Sequence, residues 1–191
     1  MKYPGPTAGC ITQCLMAPEE VETLALLASL LPLGSQIVEI GSFEGMSTVA
    51  LANGAKVSRS HVMSIDWGQG SPSEDMWAAT GDYVLRYEHN LREFGVEDYV
   101  TTIREDSRIV GAQWQRGPIH FLFVDGEHTR EACLADSLAF RPHLAQGAVV
   151  AFHDFCPSFM GVMQAVPQAF PFWWERRVAQ VNTLLALRHI T

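Results

Sequence analysis

Basic residues are scarce in this chain. Lys and Arg total 13 against 21 Asp and Glu, a formal net charge of −8 at pH 7, and no basic run stands out. A nucleic-acid partner needs a positive patch to offset its phosphates, so that class of function is disfavoured. Long hydrophobic runs are missing too: nothing approaches the roughly 20 apolar residues that a bilayer span requires. The opening Met1-Lys2-Tyr3-Pro4-Gly5-Pro6 lacks the apolar core of a signal peptide, so a cytoplasmic protein away from membranes is expected. Cysteines are few: Cys10, Cys14, Cys133 and Cys156. The Cys10–Cys14 pair has no further ligands nearby to complete a metal site, so reduced thiols are expected. Internal repeats, linkers and low-complexity segments are absent.

What is present is a globular composition. Apolar residues make up 48% and charged residues 18% of 191 positions, enough for one domain with a substantial core and too little for two. The most informative stretch is Ile37-Val38-Glu39-Ile40-Gly41-Ser42-Phe43-Glu44-Gly45-Met46-Ser47-Thr48-Val49-Ala50-Leu51. A short β-branched apolar run, a turn on two glycines and then helical spacing describe the opening of a nucleotide-binding α/β unit. A dinucleotide fingerprint needs glycine where Phe43 stands, because the backbone must approach a pyrophosphate. A phosphate-cradling loop needs a lysine where Met46 stands. The remaining pattern, Glu-x-Gly-x-x-x-Gly, suits a cofactor with an amino-acid tail, an adenosine and no phosphate.

Residues 1–17 read as an extended arm, either a surface tail or a flap, and residues 18–191 as the domain. A helix is predicted over 18–31, with Pro18 in its first turn and Glu19, Glu20 and Glu22 at the positive end of its dipole. A second strand, His61 to Asp66, ends in an acid 27 positions after Glu39. A loop over 67–80 carries Trp67 and Trp77. Tyr83 to Phe94 reads as a helix, and Val100 to Arg104 as a strand delivering Glu105-Asp106-Ser107. The fourth strand, Ile119 to Val124, ends in Asp125-Gly126-Glu127-His128. A helix from about Arg130 and a fifth strand, Ala148 to Phe152, lead to His153-Asp154. Residues 160–169 read as a helix, and Trp173 to Val181 with Thr183 to His189 as a closing hairpin.

Glu39 to Gly45 resembles the first motif of the Rossmann-like S-adenosylmethionine (SAM)-dependent methyltransferases. The pair Phe-Val-Asp-Gly-Glu-His and Val-Val-Ala-Phe-His-Asp resembles one branch of that family, the sugar and macrolide O-methyltransferases with the cephalosporin hydroxylase-like proteins. The resemblance runs from about residue 18 to the end. It implies a three-layer α/β fold around a seven-stranded, mostly parallel sheet with a C-terminal antiparallel hairpin. It implies SAM as cofactor, held by Glu39, Gly41, Ser42, Gly45 and Ser47, by Asp66 on the ribose with Trp67, by Asp106 and Ser107 at the adenine, and by Asp125. It implies methyl transfer to a hydroxyl of a small molecule such as a sugar, polyketide or other natural product.

In that branch, acids at the fourth and fifth strand ends hold a divalent cation that binds substrate hydroxyls. The candidate ligands here are Asp125, Asp154 and His153, and the candidate ions Mg²⁺ and Mn²⁺. His153 departs from the acid or amide usual at its position; an imidazole moves preference toward softer metals, or it is structural. His128, with a reference pKa near working pH, is the candidate general base beside Asp125, or else it caps the next helix. Asp106 or Ser107 is likewise open to a helix-capping reading. Two rival functions stand: a SAM-binding module without catalysis, and a nicotinamide-dependent oxidoreductase, against which Phe43 argues. A homo-oligomer is expected on the frequency of two-fold dimers.

Overall fold

The computed structural model describes residues 15–70, 82–172 and 176–190. Six helices and seven strands alternate along them. They are α1 (Pro18–Ser29), β1 (Gln36–Ile40), α2 (Met46–Ser58), β2 (His61–Ile65), α3 (Asp82–Glu93), β3 (Val100–Ile103), α4 (Ser107–Ala112), β4 (Ile119–Val124), α5 (Arg130–Phe140), β5 (Leu144–Phe152), α6 (Met160–Ala169), β6 (Arg177–Val181) and β7 (Leu184–Arg188). The sheet order is β3-β2-β1-β4-β5-β7-β6. The first five strands in that order run parallel, and β7 is antiparallel to both β5 and β6. The expected seven-stranded sheet with a closing hairpin is therefore the observed architecture.

Alternation along each strand divides the core in two. Ile37, Val62, Phe121, Phe123, Val149 and Ala151 face one side and pack with residues of α1, α2 and α3. Val38, Ile40, Met63, Leu122, Val150 and Phe152 face the other and pack with residues of α5 and α6. Full burial of side chains as large as Phe121 and Phe123 contributes roughly 1.5–3 kcal/mol each. At Gly54 an added Cβ would come within 2.3 Å of the Ala25 carbonyl oxygen, so the backbones of α1 and α2 approach closely there. Among the described residues, no helix is long and apolar enough to cross a membrane.

Several boundaries differ from the sequence expectation. The first helix stops at Ser29, two residues early. The fifth strand begins at Leu144 rather than Ala148, because Leu144 pairs with Ile119 before a register shift. Its half-exposed, glycine-containing start carries little hydrophobic signal. The hairpin's first strand is observed from Arg177; Trp173, Trp174 and Glu175 lie outside the described residues, as do residues 1–14 of the expected 1–17 arm with Cys10 and Cys14, Trp77, and Thr191.

The strand order reverses between β1 and β4. The chain leaves β1 for β2 and β3 on one side, then returns to β4 on the other. The loops after β1 and β4 part there, which leaves a crevice at the carboxyl edge of the sheet.

Candidate active site

A cavity of about 550 Å³ opens at that crevice, within the range of small-molecule sites. Its wall includes Gly41 to Glu44, Asp66, Glu105 to Arg108, Asp125 to His128, and His153-Asp154, drawn from the ends of all five parallel strands. Leu15 and Met16, just before α1, and Phe159, just before α6, complete it.

The loop after β1 forms the floor. Gly41 adopts φ +81°, and an added Cβ would sit 2.1 Å from the Asp125 carbonyl oxygen. Only glycine lets this loop lie against the tip of β4. Gly45 caps α2 in the left-handed region at φ +90°. Phe43 is also left-handed, at φ 44°, a conformation costly for an aromatic residue and held by stacking on Tyr83 at 5.6 Å between ring centroids.

Asp66 is the hub of this region. One carboxylate oxygen accepts the Ser42 N–H at 2.9 Å, the Ser42 hydroxyl at 3.2 Å and the Phe43 N–H at 3.2 Å. The other accepts the Gly68 N–H at 2.8 Å and the Tyr83 hydroxyl at 3.2 Å, with an Arg104 guanidinium nitrogen at 3.7 Å. The acid expected at the ribose thus also fastens the glycine loop to the end of β2. Trp67 lines the cavity, half-exposed, and its indole N–H donates to the Gly70 carbonyl.

The second constellation converges as the strand pairing requires. Asp125 follows β4 and His153-Asp154 follows β5, with Val124 paired to Phe152. His128 Nε2 lies 3.0 Å from Asp154 and 3.9 Å from Asp125. Ligand atoms of Asp125, His128 and Asp154 all fall within 4.8 Å of one another. The His128 ring rests on Phe159 at 4.5 Å. Asp154 is left-handed, at φ 56°, which turns its carboxylate into this group. Burial opposes its ionisation, but hydrogen bonds from His128 and His153 outweigh that and hold its carboxyl well below the usual range.

His153 stands apart from that trio. Its Nδ1 is 3.3 Å from Asp125 and 3.1 Å from Asp154, and its Nε2 is 3.3 Å from Glu20 of α1. Burial disfavours its charge, yet the Asp125 carboxylate, with Asp154 and Glu20, pushes the imidazole far above its ordinary value. Both His153 nitrogens are turned to carboxylates, which favours the protonated imidazole, and the convergence of possible metal ligands is left to Asp125, His128 and Asp154.

Glu20 is the partner that the sequence reading missed. In sequence it is one of three acids, with Glu19 and Glu22, at the positive end of the helix dipole, but of the three only Glu20 is buried. It accepts from Ala17 N–H, from the Thr183 N–H and hydroxyl, and from Leu184 N–H. Desolvation would raise its carboxyl; hydrogen bonds from His153, Ala17 and Thr183 instead lower it to about 2. A signal was available, since Glu20 stands one helical turn before Leu24, on the apolar stripe.

Other expected cofactor residues divide. Gly41, Ser42, Ser47, Asp66, Trp67, Asp106, Ser107 and Asp125 line the cavity. Gly45 and Glu39 do not: Gly45 sits behind the loop at the start of α2, and the Glu39 side chain is on the opposite face, wholly buried under α2, where the Thr48 hydroxyl donates to it at 2.5 Å. Desolvation raises its carboxyl to about 7 against the hydroxyls of Ser47, Thr48 and Ser64. Asp106 caps α4 through the Arg108 N–H and pairs with the Arg108 guanidinium. His128 does not cap the next helix; Thr129 does, through the Ala132 N–H.

This arrangement has relatives. A sequence model described as a methyltransferase domain matches residues 38–155. The fold is similar to that of CalS11, a calicheamicin methyltransferase, at 17% identity over 89% of this chain and 77% of that one, with a TM-score of 0.70. It is similar to the O-methyltransferase TomG from Streptomyces achromogenes, solved with SAM, at 20% identity over 91% and 81%, TM-score 0.66. An O-methyltransferase from Bacillus cereus, solved with S-adenosylhomocysteine (SAH), matches at 16% identity over 95% and 86%, TM-score 0.66. The domain match runs from within β1 to just past Asp154, more than half of the chain: the chain belongs to the methyltransferase domain family, on the Rossmann-like fold of its SAM-dependent members.

Proposed function

We propose that this protein transfers a methyl group from SAM to a hydroxyl oxygen of a small molecule. The observation that carries the reading is the meeting of Asp125, His128 and Asp154 on the wall of the same cavity whose floor is the Gly41–Gly45 loop. The residues present fit the cofactor. The cavity volume is suitable, Gly41 leaves no side chain on the floor, and Asp66 offers a carboxylate to ribose hydroxyls. When bound, SAM supplies an electrophilic methyl on its sulfonium.

The chain's own work is alignment and proton removal. His128, against Phe159 and beside Asp154, is placed to take the acceptor's proton. Asp125 and Asp154 would hold a divalent cation, Mg²⁺ or Mn²⁺, that lowers the pKa of a coordinated hydroxyl. The acceptor class follows the similar structures: one of CalS11 names it a TDP-rhamnose 3'-O-methyltransferase, and sugar or natural-product hydroxyls are the first to assay.

One observation favours a metal-free variant of this reading. The His153 imidazole already sits within 3.3 Å of Asp125 and 3.1 Å of Asp154, and in its protonated form it relieves the repulsion that would otherwise call for an ion. The test is SAH release in a panel of hydroxylated acceptors, with and without chelator. Metal assistance predicts that chelation abolishes turnover while SAH still binds, and that Mg²⁺ or Mn²⁺ restores it. Asp154→Asn should weaken Mn²⁺ binding and lower the rate; His128→Ala should lower the rate. Full activity in excess chelator would remove the metal and leave the His128 base. No SAH with any acceptor, despite tight SAH binding, would instead support a cofactor-binding module.

A further inference from the structure

Charge is sorted along the strands of the sheet. The helices that follow the parallel strands start at the carboxyl edge and end at the far edge, where their negative dipole ends favour cations. Eight of the described Lys and Arg residues lie toward that far edge, from Lys56 and Arg59 at the end of α2 to Arg188 at the end of β7. Four arginines remain at the carboxyl edge, and each is paired with an acid: Arg86 with Glu44 at 2.5 Å, Arg104 with Asp66 at 3.7 Å, Arg108 with Asp106, and Arg130 with Glu131 at 2.6 Å. Of these four only Arg108 lines the cavity, against eight Asp or Glu residues and no lysine. The wall acids Glu105, Asp125, Asp136 and Asp154 meet backbone N–H, hydroxyl or imidazole groups instead. The crowding shows at Asp136: burial raises its carboxyl to about 6, and Asp106 and Glu127 add to the rise against Ser107 and Arg108. Leu15, Met16 and Phe159 contribute apolar surface. Segments outside the described residues bring little basic counterweight: residues 71–81 hold Glu74 and Asp75 and neither Lys nor Arg, and Lys2 is the one basic residue of 1–14.

We infer that the methyl acceptor carries no phosphate or other anionic group: the cavity takes hydroxyls of uncharged or amine-bearing molecules and turns away nucleotide-linked sugars and carboxylates. This rests on the methyl-transfer reading above. A diphosphate leaves water only for guanidinium, ammonium or backbone N–H donors. The guanidinium on this wall is committed to Asp106, and the Ser42 and Phe43 N–H groups of the glycine loop are taken by Asp66. An anion entering here would lose hydration and meet carboxylates, and like charges repel strongly in a cleft of low dielectric. An ammonium meets the opposite field. The net charge of −8 does not by itself predict this, since surplus acids can be spread evenly over a surface. The segregation comes from the topology, which gathers the acids that follow the strands at one edge and sends most cations to the other.

The experiment is kcat/KM, read as SAH release at saturating SAM, for acceptors matched in size and differing in charge. One series is ethylcatechol, dopamine and dihydroxyphenylacetate; another is methyl glucoside, methyl glucosaminide and methyl glucuronide; TDP-rhamnose is set beside methyl rhamnoside. In each series that turns over, the anionic member should fall roughly tenfold or more below the neutral one, and the amine should equal or exceed it. The gap should shrink severalfold from about 20 mM to about 500 mM salt, because screening shortens the reach of the wall acids. Leu15→Arg puts a cation on the half-exposed apolar wall and should narrow the neutral-to-anion ratio by roughly fivefold. An anionic member that matches or beats its neutral partner would overturn the inference and leave methyl transfer standing. A gap that answers neither to salt nor to Leu15→Arg would mark exclusion by shape and overturn it as well. No SAH from any acceptor, with SAH itself bound tightly, would overturn the methyl-transfer reading on which the inference rests.

Discussion

Glu20 and His153 meet at 3.3 Å across 133 positions of chain, both buried, one at the start of the first helix and the other at the end of the fifth strand. Through this contact the entry of α1, the turn between β6 and β7 and the cluster of Asp125 and Asp154 share one network.

Removing Glu20 should therefore be expensive. Glu20→Ala leaves the His153 imidazole and the Thr183 and Leu184 donors without their acceptor, a loss on the order of 3–5 kcal/mol. The pH dependence has a definite sign. The folded carboxyl at about 2 lies below its ordinary 4.5, so its contribution is complete above pH 4.5 and fades as pH falls toward 2. Urea denaturation across pH 2–7 should show wild type and Glu20→Gln converging at the acid end and diverging near neutrality. Equal stabilities at pH 7 would show that the network contributes nothing.

Glu39 behaves in the opposite sense. Its folded carboxyl is raised from 4.5 to about 7 by complete burial. Between those values the unfolded chain releases a proton that the folded chain keeps, so stability falls as pH rises from 4.5 to 7 and then levels. Glu39→Gln removes that slope. Relative to wild type, the variant should gain up to about 3 kcal/mol at pH 8 compared with pH 4. Thermal melts of both proteins over that range decide it; parallel curves would place an ionised Glu39 in the core.

Asp66 serves the loop and, on the proposed reading, the cofactor. Asp66→Ala should weaken SAH by roughly tenfold or more, since a charge-assisted hydrogen bond is worth about 1.5–3 kcal/mol. It should also loosen residues 42–43, whose N–H groups it holds, and amide exchange at Ser42 and Phe43 should rise. Unchanged SAH affinity would take Asp66 out of the site and leave it a loop anchor.

The strand and helix pattern was legible because it is local. Ile37 to Ile40 and Ile119 to Val124 are continuous apolar runs, as strands covered on both faces must be, and Gly41 and Gly45 mark turns that other residues resist. Asp66, Asp125 and Asp154 could be named from sequence because parallel strands end side by side, so residues that follow successive strands converge. The same rule says nothing about which face a side chain takes within the strand itself. Glu39 stands next to the glycine turn in sequence, yet the two-residue period of β1 points it away from the cavity and under α2.

The sequence by itself determined the order of elements, the glycine loop and the set of acids at the carboxyl edge, all set by periodicity and backbone sterics over short spans. Tertiary structure decided what each of those acids touches and which further acids join them. Glu20 reaches His153 only because α1 packs beside the end of β5, and Asp136 reaches Ser107 only because α5 lies along α4. Such contacts join residues far apart in the chain, and their energy depends on burial, which exists only once the layers have closed around the sheet.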